Sequence, residues 1–210
     1  MLSRDWFAYS LDFFERQVQA EPQNIDWKIE HSVAQGRLIA MDMSLLFARN
    51  GRGEVTRDEF ARDNKDIGRR ITEWKTRMDP ALRDRRYLVT NFSTSRPLDP
   101  GDIVNPYEQG IIFHGPLWPM NIAMIDWLSI DLMHQYQTAL TMRTKPDEDL
   151  AMKAYASCQL YEAMEYFPGS PPGTVLACQA SLGIACLFLP RDRRHAMWAR
   201  RKFAVIESNG

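Results

Sequence analysis

The sequence predicts an all-α protein: a single helical domain over residues 1–210, with about seven helices and a long ordered proline-rich loop at about 84–119. Three observations carry this expectation. Apolar residues recur at three- and four-residue steps over long stretches, and helix-capping residues stand where those stretches begin. No alternating pattern is strong enough to demand a sheet. Hydrophobic residues make up 45% of the chain and charged residues 25%, which suits a folded domain with a substantial core.

The first helix is expected to start at Ser3, with Trp6, Tyr9, Phe13 and Val18 along its apolar side. Glu21-Pro22 ends it, because proline lacks a donor and restricts the residue before it. Asn24 offers the next N-cap, and Ile25, Ile29, Val33, Gly36, Ala40, Met43 and Phe47 then form a long stripe. Asn50-Gly51-Arg52-Gly53 breaks that helix. Thr56 and Glu59 have capping-box spacing, and Phe60, Ile67, Ile71, Trp74 and Met78 give the third helix its apolar face before Asp79-Pro80 stops it.

Residues 84–119 hold five prolines (97, 100, 106, 116 and 119) and three glycines (101, 110 and 115), which disfavours a long helix. Ile103, Val104, Tyr107, Ile111, Ile112 and Phe113 make the segment too apolar for a disordered linker, so an ordered loop is expected. Four helices follow, over about 120–142, 147–166, 174–189 and from about 192. Asp147-Glu148-Asp149 places acidic groups at a helix start, where the dipole favours them. The third of these four is the innermost, and its Ala177, Ser181 and Ala185 leave room for a close neighbour. The uncharged run 167–190 is interrupted by prolines at its start, and the remainder is too short to cross a bilayer.

Charge narrows the function. Lys and Arg number 26 against 27 Asp and Glu, so the basic excess typical of a freestanding nucleic-acid binder is missing. Three cysteines do not make a secreted disulfide framework, and no signal-peptide pattern opens the sequence.

Several constellations imitate sites. Arg49 to Phe60 has the glycine of a calcium loop, but Ala48 and Arg52 stand where oxygen ligands are required, so a turn with a capping box is expected instead. Cys178 and Cys186 lie about 12 Å apart along one helix and cannot share a metal. Asp131 and His134 sit one turn apart, a spacing better suited to a structural pair than to acid/base work. No catalytic, cofactor or metal residue is therefore assigned, and the chain is expected not to be an enzyme. Two candidate sites remain. Trp118, Met124, Asp126, Trp127 and His134 are candidates for a small-molecule pocket. Arg193, Arg194, Arg200, Arg201 and Lys202, on a basic last helix, are candidates for a partner surface, although a solvated helix face is the plainer reading.

From about Met41 onward the chain resembles the helical regulatory, middle-homology-like domain that follows the binuclear six-cysteine zinc cluster in fungal transcription factors. The resemblance is carried by Ile71-Thr72-Glu73-Trp74-Lys75-Thr76-Arg77-Met78-Asp79-Pro80, by Asp102-Ile103-Val104-Asn105-Pro106-Tyr107, and by Gly115-Pro116-Leu117-Trp118-Pro119-Met120-Asn121 running into Ile125-Asp126-Trp127. Cys178-Gln179-Ala180-Ser181-Leu182-Gly183-Ile184-Ala185 before the basic helix adds to it. It implies a nuclear regulatory domain acting through co-regulators, a second copy of itself or a small-molecule effector. DNA contact and zinc would belong to an N-terminal cluster that this sequence lacks, and the last residues, Glu207-Ser208-Asn209-Gly210, read as a trimmed end. The alternatives are a metabolite-binding helical sensor or, further off, a helical enzyme acting on an apolar substrate.

Overall fold

A computed structural model describes residues 4–17, 24–92, 97–146 and 149–208. Ser3, Val18, Glu21-Pro22 and Asp147-Glu148, named above as helix signals, lie outside the described residues. The described residues form eight α-helices and three short 3₁₀ turns and contain no strand, so the protein is all-α. Contacts divide the chain into two compact units where the sequence suggested one domain over 1–210.

The first unit comprises Met1–Asp84 and Gln137–Thr144. It contains α1 (Arg4–Gln17), α2 (Ile25–Gly51) and α3 (Arg57–Thr76), with α1 and α3 both packed on α2. Asn24 caps α2 by accepting from Trp27 N at 2.8 Å. The Thr56 capping box forms as its spacing predicts: Glu59 N donates to Thr56 Oγ1 and Thr56 N to Glu59 Oε2. Gly53, at φ +70°, turns the chain between α2 and α3, and Arg52 pairs with Glu54 across that turn. The predicted α3 face of Phe60, Ile67, Ile71, Trp74 and Met78 is buried throughout.

The expected face of α1 is wrong. Trp6, Tyr9 and Phe13 are exposed, and Phe7 is the buried residue. This helix carries two apolar stripes, and the one through Phe7, Leu11 and Phe14 turns inward, with Phe14 edge-on to Trp27 of α2. Periodicity finds a stripe but cannot choose between two of similar strength.

The second unit comprises Arg85–Tyr136 and Lys145–Gly210. It holds α4 (Trp118–Met142) as far as Tyr136, α5 (Leu150–Tyr166), α6 (Thr174–Ala177), α7 (Gln179–Phe188) and α8 (Arg193–Ser208). Its core gathers Ile112, Ile125, Leu132, Cys158, Tyr161, Met164, Leu182 and Trp198. One helix was expected over 174–189; two are present. The break falls at Cys178, whose φ −89° and ψ 0° leave the helical well for the bridge region. Ala177, before the break, is exposed, while Ser181 and Ala185, after it, are buried.

No α-helix occurs among the described residues between Asp84 and α4. Leu88 and Phe113 form an antiparallel bridge, flanked by Val89 N to Ile112 O (2.9 Å) and His114 N to Tyr87 O (2.8 Å). Asn121, on the first turns of α4, bonds both the N–H and the carbonyl of Phe113. Among the described residues, no helix is long and apolar enough to cross a membrane.

Candidate functional site

The first unit contains a cavity of about 460 Å³ lined chiefly by α2 and α3. Its position follows from local sequence. With α2 started at Asn24, Trp27, His31 and Gln35 recur at four-residue steps and share one side of the helix. On α3, Arg70, Glu73 and Trp74 recur at three- and four-residue steps, and Arg77, its C-cap, continues that side. Leu38, Ile39, Met78 and Leu82 supply apolar wall, and Leu11 reaches it from α1. Gly36 faces Trp74 here, and a Cβ at that position would sit at ordinary contact distance, 3.6 Å from Trp74 Nε1.

Two indoles line the cavity, and they differ. Trp74 Nε1 donates to the carbonyl of Ser32 at 2.8 Å. Trp27 Nε1 is shut off from solvent and has no hydrogen-bond partner among the described residues. A buried donor left without an acceptor costs about 1–3 kcal/mol, so such groups are rare and need a reason. The Trp27 ring itself is fixed: it stacks on His31 with centroids 5.1 Å apart and meets Phe14 edge-on at 5.5 Å.

Burial lowers the His31 pKa below its ordinary 6.5, against a weaker opposing pull from Glu15, so the ring is neutral at pH 7. The Gln35 amide nitrogen lies 3.3 Å from His31 Nε2. With that amide donating, Nε2 accepts and the ring proton sits on Nδ1. Charged groups complete the wall. Lys28 Nζ pairs with Asp79 at 2.8 Å, Arg77 with Glu73 at 3.1 Å, and Arg70 with Asp42 at 2.8 Å. Burial pushes the Asp79 carboxyl up, but Lys28 and the Ala81 N–H together hold it below the ordinary carboxylate range. Lys28, Arg70 and Arg77 face only Glu73 and Asp79 among the lining residues, which leaves the wall one positive charge in excess.

The residues singled out on the fourth helix are not brought together. Trp118 and His134 are about 24 Å apart along α4 at about 1.5 Å per residue. Trp118 stacks on Phe167 and donates to Thr174 Oγ1 at 3.2 Å. Asp126 accepts from Ser181 Oγ at 2.6 Å. Met124 packs against the core, Trp127 is half-buried and His134 is buried. Asp131 takes hydrogen bonds from Lys153 and Gln135. The 460 Å³ cavity touches none of these residues.

The basic residues of α8 divide. Lys202 is buried, with Nζ 2.7 Å from Glu162 and 2.9 Å from Glu165, and Trp198 Nε1 donates to Glu162 at 2.5 Å. Burial pushes the Glu162 carboxyl up even though Lys202 and Trp198 favour its charge. Arg201 pairs with Asp99 and Asp102, and Arg194 donates to the Asp102 carbonyl. Arg193 and Arg200 are exposed. Two of the five proposed surface cations, Arg201 and Lys202, are therefore bound in ion pairs within the second unit, while Arg194 is exposed with one backbone contact.

Two further clusters have structural explanations. His195 lies 2.8 Å from Asp192 and 2.6 Å from the Tyr155 hydroxyl, but Asp192 also caps α8 by accepting from His195 N. The three cysteines are free thiols. Burial raises Cys178 to about 12 and Cys186 to about 11, and Cys158 well above its usual value. The cavity went unnoticed in the sequence although its i, i+4, i+8 spacing from Trp27 is visible there; its opposite wall is supplied by α3, some forty residues away. Comparison with protein-family models, curated proteins and solved structures finds no match to this chain.

Proposed function

We propose that this chain is a helical regulatory domain that acts by binding, with a small-molecule effector seated in the cavity between α2 and α3. The cavity of about 460 Å³ between α2 and α3, walled by aromatic, aliphatic and a few polar side chains, carries the reading. The volume lies in the ordinary range for ligand sites, and the lining mixes aromatic, aliphatic and a few polar groups in the usual way. The resemblance to the regulatory domains of fungal zinc-cluster transcription factors supports a role in transcriptional control, in the nucleus, through co-regulators or a second copy. In this reading the two units belong to one regulatory region, residues 84–119 form an ordered loop of it, and reading of DNA falls to a zinc cluster outside this chain.

Thermal-shift screening of the full chain and of Trp27→Phe against a broad metabolite panel tests the effector. Ligands that raise the melting temperature of the wild type and lose that effect in the variant are expected. A flat response across the panel overturns the effector reading. A gel shift showing tight, sequence-specific and salt-resistant DNA binding by this chain overturns the division of labour.

A further inference from the structure

We infer that the aromatic face of α1 is a docking surface for a second copy of this chain, paired about a twofold axis. This deepens the reading above, on which it rests for the role of a second copy, and it makes no use of the effector cavity. Trp6, Tyr9 and Phe13 share one side of α1 and are 48%, 68% and 48% exposed. Beside them runs a groove of about 240 Å³ between α1 and α2, with Val33 and Ala34 on its α2 side. An aromatic face of this kind is uncommon outside binding sites, and aromatic residues are enriched where proteins meet.

The charges at the rim choose the occupant. Asp5 and Arg16 are exposed and eleven residues apart, so three turns bring them onto one line about 16 Å long, on the side of α1 away from the groove. Arg16 pairs with Asp12 of its own helix at an exposed site, so it can turn outward at little cost. On the α2 side, Arg37 lies near the start of α1, with its guanidinium 6.0 Å from the centre of the Phe7 ring. Glu30 lies near the end of α1, because Trp27 and His31, on either side of it in sequence, both meet Phe14. One edge of the patch therefore runs from negative to positive along α1, and the other from positive to negative. These four charges sum to zero, so a strongly acidic or basic partner gains nothing from them.

A second copy, turned over about an axis that lies in the patch and crosses α1 near Ser10 and α2 near Val33 and Ala34, exchanges the two ends. Asp5 then meets Arg16 of the second copy, Glu30 meets Arg37 of the second copy, and each pair occurs twice. Trp6 comes to lie towards Phe13 of the second copy. The two α1 helices run antiparallel, which sets unlike ends of their dipoles side by side. Ten residues line the groove, against roughly 20–30 a side for a standard interface, so the pair is weak, with a dissociation constant on the order of 10 µM.

Sedimentation equilibrium of the full chain from about 1 to about 300 µM spans that constant. A monomer–dimer equilibrium is expected, and Tyr9→Arg, at a largely exposed position, is expected to weaken it about tenfold or more. Asp5→Arg and Arg16→Glu each set like charges against each other at both ends of the pair, and each variant alone is expected to stay monomeric. Mixed, the two variants match at both ends and are expected to dimerise as the wild type does. Circular dichroism checks that each variant keeps the wild-type helix content. A wild type that is monomeric throughout overturns the proposal and leaves the face to a different partner. A dimer that survives Tyr9→Arg has its interface elsewhere and overturns it too. Single variants that dimerise no better mixed than alone overturn the antiparallel pairing. The response to metabolites is read separately, so the dimer and the effector can each fail without the other.

Discussion

Trp27 in the first unit and Trp198 in the second present the same indole N–H away from solvent, with opposite outcomes. Trp198 is 1% exposed and donates to Glu162, which Lys202 also holds, so its polar atom is absorbed into the core. Trp27 also lines a cavity, but its donor is closed off from water and bonds nothing among the described residues. The second unit has unpaired buried atoms too, Tyr161 Oη and Gln135 Oε1. A satisfied buried group specifies one packing of its surroundings, whereas an unsatisfied one is a local cost that the rest of the fold must offset.

The largest effect is expected from Lys202→Ala. It strands the Glu162 carboxylate in the core and should cost about 3–5 kcal/mol in denaturant unfolding, with Glu162→Leu in the same chain restoring much of the loss. Trp198→Phe should cost about 2 kcal/mol, because a hydrogen bond to a charged group is removed. Trp27→Phe removes an unmatched donor and should raise stability by up to about 1 kcal/mol. A loss above about 1 kcal/mol there would erase the contrast between the two indoles.

Smaller effects sharpen the picture of the first unit. Gly36→Ala places a methyl at ordinary contact distance from Trp74, so the helix gains up to about 1 kcal/mol of propensity. His31 supplies a pH signature. Its folded pKa lies below the unfolded 6.5, so its contribution to stability is complete above that value and is lost as pH falls through the folded pKa. Wild type should therefore lose melting temperature relative to His31→Gln on acidification from pH 7.5 to 5. A constant difference across that range would show that burial does not disfavour the charged ring.

Local chemistry was legible in the sequence. The Asn24 cap, the Thr56 and Glu59 pair, the turn at Gly53 and the inward face of α3 each depend on residues within a few positions of one another, and each formed as expected. Choices made by distant residues were not legible. The face of α1 is decided by Trp27 and His31, which meet Phe14 and leave Trp6, Tyr9 and Phe13 outside. The basic run of α8 read as surface because Glu162, Glu165, Asp99 and Asp102, which claim its cations, lie far back in the chain. The cavity escaped for the same reason: half of its spacing pattern sits on α2 and half on α3.

The buried thiols equip the second unit with internal reporters of its own breathing. Alkylating reagents attack thiolates, and Cys158 and Cys178 are both enclosed and strongly disposed to keep their protons. Cys186, only partly covered, should be labelled first, and the other two at the rate at which the unit opens. Mass spectrometry of a labelling time course would thus time local opening in the native protein, without a single engineered probe.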